Sequence, residues 1–203
     1  MSAKLVAGMD EAGRGSLISR VYVGIVVLPE NFMEMCQEHG IVIRDSKKMT
    51  KLQRNKSRIF IENHSIDYNV QYSEQDEIDR VGILRATMNA MHRCVDHLHL
   101  PIDELLVDGD YYENHNDEIS YRCIVRGDDI FPEIACASIL AKTHRDEFIE
   151  NLFLEYQDIL QVYGIDRNKG YGTKIHMDAI DSYGMTEFHR KSFCKKKFLS
   201  FQK

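Results

Sequence analysis

Residues 8–15 read Gly-Met-Asp-Glu-Ala-Gly-Arg-Gly and set two acids, Asp10 and Glu11, inside a glycine frame. Gly8 and Gly13 keep the G-x-x-x-x-G spacing of a phosphate-cradling loop. That loop continues into Lys and Ser/Thr, where this chain has Arg14 and Gly15. Two more acids, Asp108 and Asp128, stand at or just beyond the ends of the apolar runs "ELLVD" and "YRCIVR". Strand ends of α/β sheets are where ligands bind, because the sheet fixes the backbone while the loops open to solvent. Carboxylates gathered there without a counter-ion raise one another's pKa and cost stability, so the economical complement is one or two hard divalent cations such as Mg²⁺ or Mn²⁺. Paired ions of this kind activate a water and stabilise the leaving oxygen in phosphodiester cleavage. Taken singly, Asp108 and Asp128 read as turn caps. Asp10, paired with Glu11 and followed by a glycine-framed arginine, does not.

These acids need a sheet to hold them. "KLVAGMD" and "VYVGIVVL" are apolar, β-branched runs across a turn region and predict adjacent buried strands. This disfavours a phosphate loop, which must open into a helix. A basic helix is expected over 49–65 with Thr50 as N-cap, then a strand "IDYNVQY" with Ile66, Tyr68, Val70 and Tyr72 on one face. A long helix from Ser73 to Pro101, kinked at Gly82, carries Ile83, Leu84, Met88, Met91, Val95 and Leu98 at helical spacing. After the strands ending at Asp108 and near Gly127, Pro132 opens a helix running to Tyr156, whose small residues come first and let it approach the sheet closely. Residues 163–174 read as a glycine-bearing loop, closed by short helices at 176–183 and from Ser192 onward. The order predicts an α/β protein with a mixed central sheet flanked by helices.

The 203 residues suffice for one well-cored domain. No apolar run reaches the roughly 20 residues of a membrane span, and the first residues lack a secretory pattern, so an intracellular, cytoplasmic protein is expected. Five scattered cysteines with no C-x-x-C pair read as reduced thiols rather than disulfides or a zinc site. A net charge of -6 argues against holding polyanions by bulk charge. Basic residues nonetheless crowd 44–58 and the C-terminus from Arg190, around an acidic stretch at 103–118. Either basic run alone reads as a solvated helix face.

"GMDEAGRG" closely resembles the signature of type 2 ribonucleases H, the ribonuclease HII family. "RDSKKMT", "GILRATMNAMHR", "VDGD", "RGDDIFPEIACASILAKTHRD", "KGYGTKIH" and "HRKSF" resemble that family's further segments, in its order and over nearly the whole chain. The resemblance implies a ribonuclease H-like fold with a small helical C-terminal extension: one catalytic domain over 1–203, its core at about 1–160 and its extension at about 161–203. It makes Asp10, Glu11, Asp108 and Asp128 the catalytic carboxylates, holding two divalent ions, Mg²⁺ or Mn²⁺. Gly13, Arg14 and Gly15 match the motif that recognises the 2′-hydroxyl at the junction of ribo- and deoxyribonucleotide, and Tyr171 the tyrosine that packs on the neighbouring sugar. Lys47 and Lys142 match lysines near the nucleic-acid backbone, and Ser46 and Ser138 stand ready to donate hydrogen bonds to the same strands. His176 and His189 also match family positions and are read here as structural.

The activity so implied is endonucleolytic: hydrolysis of RNA in RNA/DNA hybrids and incision 5′ to ribonucleotides embedded in duplex DNA, leaving 3′-hydroxyl and 5′-phosphate ends. The expected state is a monomer with no membrane partner; the C-terminal run "FCKKKFLSFQK" shows no convincing replication-clamp pattern. The chain departs from the family at Ser16–Arg20, where Pro-Leu-Ala-Gly-Pro is usual, and the glycine-proline kink is expected to be lost. Asp110 adds a further charge after "VDG". Two other readings share the acids: another two-metal nuclease such as a 3′ exonuclease, and a non-catalytic hybrid-binding protein whose acids hold a structural ion.

Overall fold

The computed structural model describes residues 4–194. Strands β1 (Val6–Ala12) and β2 (Val21–Val27) form the antiparallel centre, followed by α1 (Phe32–Glu38), a 3-10 turn at Ser46–Lys48, α2 (Lys51–His64) and β3 (Asp67–Ser73). Then come α3 (Gln75–Val81), α4 (Ile83–Asp96), β4 (Glu104–Asp108), β5 (Ser120–Ile124), a 3-10 turn at Gly127–Asp129 and the long α5 (Pro132–Glu155). The chain closes with α6 (Gln157–Leu160), α7 (Ile165–Asn168) and α8 (Lys174–Tyr183), then a helical turn at 191–194. The sheet order is β3-β2-β1-β4-β5, with β1 antiparallel to β2, β2 antiparallel to β3, and β1–β4–β5 parallel. This is the mixed sheet that the element order predicts.

Strand pleating decides what each face carries, because alternate side chains point to opposite sides. Ala7, Met9, Val23, Ile25, Leu105 and Val107 pack on Met88, Met91 and Cys94 of α4, so the helical methionines fill core. The other face of the sheet receives α5. There Gly8 and Gly24 leave no side chain between strand and helix: a Cβ at Gly24 would lie 2.6 Å from the Ala137 carbonyl oxygen and 3.1 Å from the Ala141 nitrogen, and one at Gly8 would strike the Glu133 backbone. The small residues of "IACASILA" permit this approach. A third cluster gathers Val26, Phe32, Cys36, Phe60 and Ile61 against Cys136, Ala137, Ile139 and Leu140 of α5. Gly24→Ala must push backbone from backbone, and is expected to cost about 3 kcal/mol. For a domain of this size that lowers Tm by roughly 6–12 °C; a thermal melt within about 2 °C of the parent would refute the packing argument.

Several details differ from the sequence expectations. The long helix after Ser73 is broken rather than kinked: the Gly82 N–H closes α3 on the Ile78 carbonyl at 2.9 Å, and its own carbonyl starts α4 by accepting from Ala86 at 3.0 Å. Helix α1 was not anticipated, and the supposed loop at 163–174 contains the single turn of α7. Thr50 does cap α2, in a reciprocal capping box with Gln53. The turn before β2 keeps its kink without the family's glycine, because Ser19 adopts a left-handed φ of 64°. That conformation costs an L-residue roughly 1–2 kcal/mol. It is held by the Ser19 N–H on the Phe188 carbonyl at 2.8 Å and by Arg190 on the Ser19 carbonyl at 2.7 Å. Residues 157–180 fold back around Leu17, Ile18 and Ile149 as a separate apolar cluster. The basic run beyond Cys194, and with it any clamp-binding segment, lies outside the described residues.

Candidate active site

The register of β1 and β4 pairs Met9 with Val107, and one step further sets Asp10 beside Asp108. Both lie on the face that α5 covers. On the other side Asp10 is paired with Gly24, whose missing side chain leaves room for the carboxylate. Asp10 is thus only 5 % exposed, and its Oδ1 accepts the Glu11 N–H at 2.6 Å. Asp108 accepts the Gly127 N–H at 2.7 Å, which ties the end of β4 to the 3-10 turn carrying Asp128. Arg126, in a left-handed conformation (φ 59°), turns the chain into that position, and Asp129 anchors it on Lys48 (2.8 Å) and Arg126 (2.9 Å).

The acids disturb one another. Burial pushes Asp10 well above the ordinary carboxylate range, with Glu11 and then Asp108 adding to the rise against the Ser138 hydroxyl. Glu11 is raised chiefly by burial, with Asp108 adding and Arg14 and Lys47 opposing. Burial, then Asp108 and Asp45, raise Asp128, and Lys47 opposes them. Such mutual strain is what a cation relieves. Among the described residues no three His, Cys, Asp or Glu side chains already close a metal cage. Mg²⁺ characteristically takes one or two carboxylates and completes its shell with water and substrate phosphate, so an open set of hard oxygen donors fits it.

Beside the acids runs a cleft of about 490 Å³ whose lining includes Glu11, Gly13, Arg14, Ser46, Lys47, Ser138, Lys142 and Tyr171. Gly15 borders it at the Tyr171 ring. The structure therefore brings the residues singled out in the sequence to one place. Arg14 lies on Glu11 at 3.1 Å, half exposed. Ser46 and Ser138 share a hydrogen bond of 3.0 Å and are buried, so each is engaged with the other in the cleft wall. Lys142 pairs with Asp146 at 2.9 Å, its ammonium 5.9 Å from the Tyr171 ring centre. Tyr171 is 37 % exposed, stacked over the Arg145 guanidinium at 4.9 Å. Asp110 is exposed.

Two supporting arginines carry no signal in the sequence, and the histidine pair takes the structural part expected of it. Arg145, wholly buried on α5, donates to the Lys169 carbonyl at 2.6 Å and backs Gly13: a Cβ there would fall on the Arg145 side chain, and φ is already +94°. Arg190 underlies the same loop. His176 and His189 are buried and joined Nε2 to Nε2 at 3.1 Å. Because Nδ1 of His189 accepts the Thr186 N–H, its Nε2 donates to His176, whose Nδ1 donates to the Tyr171 carbonyl at 3.1 Å. The chain of bonds fixes Tyr171 from behind, and burial, followed by His176, holds His189 neutral by lowering its pKa to about 4. His144 is elsewhere, on Glu62.

A family model described as Ribonuclease HII matches residues 7–196. Ribonuclease HII of Christiangramia forsetii is 43% identical over 188 residues, covering 93% of this chain and 89% of that protein. Among solved structures, ribonuclease H2 from Pyrococcus horikoshii OT3 shares the fold with a TM-score of 0.77 at 24% identity, over 98% of this chain and 99% of that one. Bst-RNase HIII, solved in complex with Mn²⁺, gives a TM-score of 0.65 at 15% identity, over 97% and 70% of the two chains.

Proposed function

We propose that this chain, which belongs to the ribonuclease HII family and is a metal-dependent endoribonuclease acting on RNA/DNA hybrids, also incises duplex DNA on the 5′ side of a single embedded ribonucleotide. The observation that carries this finer reading is the junction of two unlike surfaces in one cleft: a nest of strained carboxylates, and against it a wall of Gly13, Arg14, Gly15 and Tyr171 suited to a sugar.

A pair of divalent ions, Mg²⁺ or Mn²⁺, when held by Asp10, Glu11, Asp108 and Asp128, supplies the acidity that readies a water and the charge that steadies the departing oxygen. The protein's own groups do the rest. Asp10 is set rigidly by its strand, and its two neighbours raise the demand for positive charge at one point. Lys47, whose charge already acts on Glu11 and Asp128, draws the phosphate toward them. The N–H groups of Arg14, which lines the cleft, and of Gly15, beside the Tyr171 ring, have no acceptor among the described residues, and a 2′-hydroxyl has both a donor and an acceptor to offer. Tyr171 closes against the adjoining sugar, and Lys142 with Lys47 registers the backbone without reading bases, which suits an enzyme needing only a sugar mark. Ser138 and Ser46 steady the wall between them.

The reading is of a single catalytic domain over 1–203, acting as a cytoplasmic monomer. No helix among the described residues is long and apolar enough to cross a membrane. The test is a DNA duplex with one ribonucleotide, labelled at each end in turn and incubated with Mg²⁺ or with chelator. One internal cut, with a 3′-hydroxyl and a ribonucleotide-bearing 5′-phosphate, is expected only with the metal. A ladder of shortened ends would mean an exonuclease, and binding without product would mean a hybrid-binding protein.

A further inference from the structure

Arg190 is wholly buried, yet the acceptors of its guanidinium are all main-chain carbonyls, and all belong to one loop. Nε donates to Ser19 at 2.7 Å; Nη1 faces Gly13 (2.9 Å), Arg14 (3.0 Å) and Ser16 (2.9 Å); Nη2 donates to Arg20 at 2.8 Å. A buried cation is ordinarily offset by a carboxylate. Here five carbonyl dipoles take that part, as loop carbonyls surround a metal ion, with the difference that this cation is tethered and directional. Burial, and then the neighbouring Arg145, pull its pKa down to about 9, and it remains charged at neutral pH.

The geometry has a consequence on the opposite side of each peptide. In a trans peptide the carbonyl and the following N–H point in opposite directions. With the Gly13 and Arg14 carbonyls drawn inward, the N–H groups of Arg14 and Gly15 are turned outward, and neither has an acceptor among the described residues. The same guanidinium holds the carbonyl of Ser19 in its left-handed turn. We propose that Arg190 is the positioning residue for sugar discrimination: by gathering the carbonyls of residues 13–20 around one guanidinium, it aims the Arg14 and Gly15 amides at the 2′ position of the substrate. This inference rests on the reading of that wall as the 2′-hydroxyl sensor.

The test uses the full chain with Mg²⁺ and three duplexes identical except at one 2′ position: hydroxyl, fluoro or hydrogen. Arg190→Lys keeps the charge but presents three donors from one point instead of a planar fork, so it cannot serve five carbonyls. On the hydroxyl substrate kcat/KM is expected to fall about 100-fold, the loss that a misplacement near 1 Å produces. On the fluoro substrate, whose fluorine is a weaker acceptor for the amides than a hydroxyl, the fall is expected to stay within about threefold, so the hydroxyl-to-fluoro ratio shrinks at least tenfold. Hydrogen exchange at the Ser16 and Ser19 amides, bonded to the Gly13 and Phe188 carbonyls, should accelerate in parallel as the loop loosens.

A second variant reaches the loop indirectly. Asp79 accepts the N–H groups of Lys191 and Ser192 at 2.9 Å and so anchors the segment that carries Arg190. Asp79→Ala is expected to shift ratio and exchange the same way by a smaller factor, and it decides the matter if Arg190→Lys does not fold. An unchanged ratio in a folded variant, or equal losses on all substrates, overturns the proposal, since a scaffold role alone lowers every rate together. Should the parent fail to distinguish hydroxyl from hydrogen, the sensor reading itself fails, and unchanged exchange at the Ser16 and Ser19 amides would still count against Arg190.

Discussion

Asp10→Asn is expected to abolish cleavage and to stabilise the metal-free protein at neutral pH. The substitution keeps shape and an acceptor for the Glu11 N–H, but removes the buried charge at the middle of the proposed metal-binding set. A loss of at least about a thousandfold in kcat/KM is expected, equivalent to roughly 4 kcal/mol of transition-state stabilisation. The stability effect has the opposite sign. Asp10 is raised in the folded state above its ordinary value of 3.8, mainly by burial and then by Glu11. A carboxyl of this kind favours folding most when protonated, so the metal-free parent should gain stability as pH falls through the raised pKa toward 3.8, and lose it again as pH rises. Glu11 and Asp128 are raised as well and act in the same direction. The Asn variant should show a higher Tm than the parent at pH 7.5 without metal and a flatter dependence on pH. It should also show a smaller rise in Tm on adding Mg²⁺ or Mn²⁺, because binding to the folded state alone is what stabilises. A folded variant that still cuts at a tenth of the parental rate would remove Asp10 from the centre; an unchanged metal-induced rise in Tm would move the ions elsewhere.

Replacing the single ribonucleotide by its 2′-deoxy counterpart is expected to lower incision by about 10⁴-fold, the penalty when a site built to bond a hydroxyl meets an analogue without one. The size of the effect follows from what remains unpaired. Arg14 lines the cleft and Gly15 lies at its Tyr171 ring; if a duplex covers them as proposed, amides buried without a partner carry their full desolvation cost. Gly13 cannot yield, since its φ of +94° and the Arg145 side chain behind it fix the loop. Initial rates on the two substrates, at equal metal and below saturation, give the ratio directly. A ratio below about ten would leave only a methylene-sized preference and discard the sensor.

The acids were legible because strand ends and pleating are local properties. An apolar run ending on Asp108, and one running through Asp10, predict where those carboxylates stand, and the pairing of Met9 with Val107 then sets them together. The close seating of α5 was legible too, in the small residues after Pro132. The supports of the glycine-arginine-glycine wall were not. Arg145 and Arg190 look like ordinary basic residues on helix or tail, and nothing in periodicity marks a guanidinium whose acceptors are carbonyls over 170 positions away. The glycine-proline kink was expected to disappear with Ser19 and Arg20, yet tertiary hydrogen bonds hold Ser19 in the conformation that its own side chain disfavours. Helix α1 went unnoticed because its N-cap, Asn31, makes no side-chain bond, although Phe32 and Cys36 share the face it buries.

The guanidinium under the loop also imposes an order in time. Asp10, Glu11, Asp108 and Asp128 have all been synthesised long before residue 190 is added, and domains fold progressively as the chain emerges. A nascent or prematurely terminated chain can thus hold every acid of the proposed cutting centre while the loop proposed to sense the sugar still lacks the guanidinium that gathers its carbonyls.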